Sequence, residues 1–74
     1  MEIMVDYRDF QSRLELFPYR SFDLVRQGSS LVVELQTMQW GKLCFLITDT
    51  CSETLTRQLQ NLLENHLYPR ACRS

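Results

Sequence analysis

A small α+β fold, in the order α-β-β-β-α, is what the 74-residue chain predicts. Three features carry that expectation: a leucine stripe at helical spacing near the C-terminal end, three successive β-rich runs separated by glycine-containing connections, and an aromatic pattern closed by Pro18 near the start. With 45% hydrophobic and 23% charged residues, two glycines and two prolines, the composition suits one ordered domain over 1–74. A disordered or low-complexity chain is disfavoured.

The first element is read as a helix over 7–16. Tyr7, Phe10, Leu14 and Phe17 recur at near-helical intervals. Asp6 suits the N-cap, Asp9 adds a favourable carboxylate to the first turn, and Pro18 ends the element. Met1 to Val5 also has strand character, leaving the role of the extreme N-terminus open between a strand and a cover folded over the sheet.

Three strands follow, Ser21 to Arg26, Ser30 to Met38 and Lys42 to Thr48, separated by Gln27-Gly28-Ser29 and Gln39-Trp40-Gly41. Short connections with a glycine fit hairpins needing one residue at positive φ, so the expectation is a three-stranded antiparallel meander. Under the period-two rule Phe22 and Leu24, then Leu31, Val33 and Leu35, then Leu43, Phe45 and Ile47 share one face. That face should carry both helices.

The last element is a helix over 51–67. Leu55, Leu59, Leu62, Leu63 and Leu67 form one stripe, whereas Arg57, Gln58, Gln60, Asn61 and Glu64 face outward. Thr50 followed by Glu53 matches a capping box, and Pro69 closes the segment.

The opposite sheet face is mixed rather than polar. Val25, Val32, Cys44 and Leu46 fall together on it, interrupting the apolar/polar alternation of a sheet with one solvated face. An uncovered cluster of this kind marks a contact surface for another protein or a second copy of the chain; the competing expectation is that Ile3 and Val5 fold over it. Trp40, beside Gly41 in a turn, is the sharpest single contact candidate, set against a ring folded back over the core edge. Tyr7, Tyr19 and an arginine excess of seven over one lysine add residue types enriched at interface hot spots.

Catalytic constellations are sparse. His66 is a helix-end residue with no obvious catalytic partner. Cys51 falls in the first turn of the C-terminal helix, where unpaired N–H groups favour a thiolate, which makes it a possible reactive thiol; Asp49 and Glu53 nearby oppose this, and no cation is close in sequence. Cys44, Cys51 and Cys72 lack metal-ligand spacing, so neither zinc nor another metal is expected. Gly28 and Gly41 form no phosphate-cradling loop, and no cofactor is expected. The chain reads as non-enzymatic.

The net charge of −1 gives no general attraction to polyanions. The order α-β-β-β-α is nevertheless similar to that of double-stranded-RNA-binding domains, and the resemblance implies nucleic-acid binding as the alternative function. It lies in element order alone: where those domains carry a lysine-rich helix start, this chain has Cys51-Ser52-Glu53-Thr54 with Arg57 as the single nearby cation. An odd cysteine set and the charged residues within Met1 to Phe10 suggest a cytoplasmic protein, and no apolar run approaches membrane-spanning length. The expectation is a regulator, inhibitor or assembly factor that binds another protein or itself.

Overall fold

The computed structural model describes residues 2–67. The elements are β1 (Glu2–Val5), α1 (Tyr7–Leu14), β2 (Tyr19–Gln27), β3 (Ser30–Thr37), β4 (Lys42–Ile47) and α2 (Glu53–Asn65). The α+β class and the β2-β3-β4 meander agree with the expectation, but the sheet has four strands in the order β1-β4-β3-β2. The extra strand, β1, pairs parallel with β4, so the sheet is mixed and not purely antiparallel. Its four residues are too few for alternation to declare a strand, and its partner lies at the far end of the meander.

The placement of β1 also corrects the expected N-terminal cover. Ile3 and Val5 turn into the layer beneath the helices, Ile3 opposite Phe45 and Val5 opposite Ile47. They do not lie over the other face. The amide of Thr48 donates to the carbonyl of Val5 (2.9 Å), continuing this pairing past the strand ends.

The helices are shorter than the sequence predicts. Asp6 caps α1 as expected, accepting from the amide of Asp9 at 2.7 Å, and Asp49 accepts from the amide of Tyr7 at 3.2 Å, so carboxylates from two segments serve one helix start. In α2 the cap is Ser52 rather than Thr50: its hydroxyl accepts from the amide of Leu55 at 3.1 Å. The helix ends at Asn65, with His66 as its C-cap. Pro69 lies outside the described residues.

Strand connections differ by one residue each. Gln27 pairs with Ser30, so Gly28-Ser29 is a two-residue turn, with Gly28 at φ 60° in its first position. Between β3 and β4 run Met38 to Gly41. There Thr37 holds the loop: its amide and hydroxyl donate to the carbonyl of Gly41 (2.8 and 2.7 Å), and its hydroxyl accepts from the amide of Trp40 (2.9 Å). Gly41, at φ 71°, supplies the left-handed residue that closes it.

One face of the sheet meets both helices. Leu24, Val33, Phe45 and Ile3 form a row across all four strands, Leu31, Ile47 and Val5 a second, and Phe22, Leu35 and Leu43 a third. Phe10 and Leu14 of α1 and Leu55, Leu59, Leu62 and Leu63 of α2 close over them in one continuous core. Phe10 meets Phe45 edge to face, with ring centres 5.2 Å apart. Tyr19, named above among the residue types enriched at interfaces, is fully buried, and its hydroxyl donates to the carbonyl of Leu63 across the layers. A bulge at Arg20, between the pairs Tyr19–Thr37 and Ser21–Gln36, shifts the facing of β2 and turns Tyr19 inward.

Candidate interaction surface

Among the described residues the other face carries no helix, and its residues follow from the strand register. Val25, Val32, Leu46 and Met4 stand side by side on β2, β3, β4 and β1, forming an apolar row across the full sheet. Asp23, Glu34, Cys44 and Glu2 form the next row, and Ser21, Gln36 and Lys42 the one beyond. On the opposite flank are Gln27 and Ser30, paired at the hairpin end, and Thr48 just past β4.

The expected contact residues Val25, Val32, Cys44 and Leu46 therefore do lie on one face. Val32 is 1% exposed although it sits outside the main core cluster, and Val25, Cys44 and Leu46 are half-buried. The most accessible member, Met4 at 67%, was not among the sequence candidates. The alternation of Glu2 and Met4 with Ile3 and Val5 is the signal that assigns it, once β1 is recognised as a strand.

The flank is acidic. Glu34 meets Lys42 at 3.5 Å across β3 and β4, both partly exposed, while Glu2 and Asp23 form no ion pair among the described residues. A shallow cleft of about 230 Å³ lies over this end, lined by Ser21, Phe22, Asp23, Glu34, Gln36 and Lys42. Any anionic partner meets three carboxylates here against one ammonium.

Trp40 belongs to a different surface. The residue is 53% exposed, and its ring packs edge to face on Phe17 at 5.3 Å, while Phe17 in turn lies 6.1 Å from Phe45 on the helix-bearing side. Trp40 thus both folds back onto the core edge and keeps half its surface in solvent. The amide of Met38 donates to the carbonyl of Pro18 at 3.0 Å, joining the two loops of this end, and Leu16 and Met38 are exposed there as well. The structure separates Trp40 from the Val32 row.

Cys51 lies one residue before the N-cap, not in the first turn of α2, so Ser52 is the residue that engages the helix amide. It is half-buried against the core and shares an open cleft of about 420 Å³ with Arg26, Ser52, Glu53 and Thr56. Folding thus brings a cation near it that is distant in sequence, but Glu53 lines the same cleft. The imidazole Nδ1–H of His66 donates to the carbonyl of Leu62 at 3.1 Å, a helix-end role. Cys72 lies outside the described residues, and Cys44 and Cys51 are free thiols.

Among the described residues no three of His, Cys, Asp and Glu converge as a metal site would, and no helix is long and apolar enough to cross a membrane. No protein-family model, curated protein or solved structure matches the chain.

Proposed function

We propose that this protein is a non-enzymatic protein-binding module, a regulator, inhibitor or assembly factor, that acts through the helix-free face of its sheet. The observation that carries this reading is the row Met4, Leu46, Val32 and Val25, which crosses all four strands with no helix above it among the described residues. Elsewhere the sheet buries its apolar rows beneath α1 and α2. The accessible part of this row, Met4 above all, gains free energy when another surface covers it. Its acidic flank opposes nucleic-acid phosphates, which favours a protein partner over the RNA-binding alternative.

The test is site-specific photo-crosslinking in cells that express the chain, with a photoreactive residue at Met4 and, as control, at Gln58 on the outer face of α2. A discrete protein adduct from position 4 and none from position 58 supports the reading. Absence of an adduct at position 4, or equal labelling from both, overturns it.

A further inference from the structure

We infer that the outer edge of β2 takes up an extended segment of a partner protein as a fifth strand, antiparallel to β2 alongside residues 22–26. This edge is a different surface from the helix-free face, and its use does not depend on that face being occupied. β2 ends the strand order, so among the described residues its far side pairs with no strand. Which groups it offers follows from the hairpin. Gln27 and Ser30 flank a two-residue turn and exchange backbone hydrogen bonds, so alternation points the amides and carbonyls of Val25, Asp23 and Ser21 at β3. Those of Phe22, Leu24 and Arg26 point off the sheet. The same phase sends the main chain of Thr37 to the β4 side of β3, where its amide donates to Gly41 at 2.8 Å.

Donors and acceptors that recur at every second residue along an edge are matched in spacing by another extended main chain, and the antiparallel ladder is the more stable per residue. Sheet edges are ordinarily guarded by shortness, proline, lysine or a bulge. The opposite edge, β1, is four residues long; β2 has nine, its bulge falls at Arg20, and residues 21–27 include neither proline nor lysine. The side chains state which segment fits. Phe22 and Leu24 are half-buried on the helix-bearing side and offer apolar surface to the residues hydrogen-bonded with them. Asp23 and Val25 face the open side, in pairs whose Cα atoms come within about 4.5 Å. Asp23 is exposed, forms no ion pair among the described residues and shares the cleft of about 230 Å³ with Glu34, so a cation belongs opposite it. An apolar residue opposite Val25 lengthens the Met4–Val25 row, and a carboxylate suits the exposed Arg26. From its N-terminal end the segment therefore reads acidic, apolar, apolar, basic, apolar.

Fluorescence polarisation of a labelled peptide, Thr-Glu-Val-Val-Lys-Val-Thr, titrated with the full chain reads the association directly. Saturable binding below about 1 mM is expected. Methylating the backbone nitrogen of the valine opposite Leu24, whose N–H faces β2, should weaken binding about tenfold or more; the same methyl on the valine opposite Val25, whose N–H faces away, should change it less than about threefold. Arg26→Pro removes an outward amide and no bond to β3, and should weaken binding about tenfold with the circular dichroism spectrum unchanged. Asp23→Lys should weaken this peptide about fivefold and favour the version with glutamate in place of its lysine. Absence of saturation up to about 1 mM overturns strand addition, as does binding indifferent to which valine is methylated. An unchanged charge preference in Asp23→Lys overturns the register. Should Arg26→Pro fail to fold, the two methylated peptides on the wild-type chain decide the matter alone.

Discussion

Val32 and Val33 are neighbours in β3, identical in type and both at most 1% exposed, yet they are buried by different means. Val33 stands between Leu24 and Phe45 beneath two helices; Val32 stands between Val25 and Leu46 outside the core cluster that α1 and α2 close. Low exposure alone therefore does not define a core. What distinguishes the faces among the described residues is the helix layer, which lies on one side only.

The sharpest way to break the helix-covered face is Phe45→Ala. That ring anchors the contacts to Phe10 and Phe17, and its loss should cost about 3–5 kcal/mol in urea unfolding, enough to threaten folding in so small a domain. The matched pair then sharpens the contrast. Val33→Ala is expected to cost about 2–3 kcal/mol, because the void lies between packed layers, and Val32→Ala about 1 kcal/mol at low protein concentration, because solvent enters from the open side. Equal losses from the same unfolding measurement would erase the distinction between the faces.

Much of the covered face was legible in the sequence, because period-two alternation assigns Leu31, Val33, Leu35, Phe45 and Ile47, and the helical stripe assigns the leucines of α2. The open face was legible in part. Val25, Val32, Cys44 and Leu46 follow from the same alternation, but Met4 required a parallel strand whose partner is distant, and no local pattern announces such a pairing. Tyr19 escaped for another reason: the bulge at Arg20 breaks the alternation at that point. Trp40 was recognised as a turn residue, but whether its ring joins the sheet face depends on how Thr37 and Gly41 close the loop.

The two candidate caps of α2 give a smaller test. Ser52→Ala should destabilise by about 1 kcal/mol and Thr50→Ala by much less, a difference visible in thermal melts; the reverse order would restore the Thr50 box. The smallest expected effect is Met4→Glu, within about 0.5 kcal/mol by dilute urea unfolding, since the side chain is already in solvent. A large loss there would mean that the open face contributes to the stability of the monomer.

The parallel joint between β1 and β4 has a consequence for the order in which the molecule assembles. The amide of Tyr7 and the carboxylate of Asp49 meet across 42 positions, and the Val5–Ile47 pair closes a loop of similar size. The β2-β3 and β3-β4 hairpins close through short loops and can form early, whereas β1 has no partner until β4 is in place. The N-terminal strand is thus the last tile laid and the first to lift. Native-state amide exchange should find the β1–β4 hydrogen bonds opening at lower free energy than those between β3 and β4, with the interior of the meander retaining protection after the edge has let go.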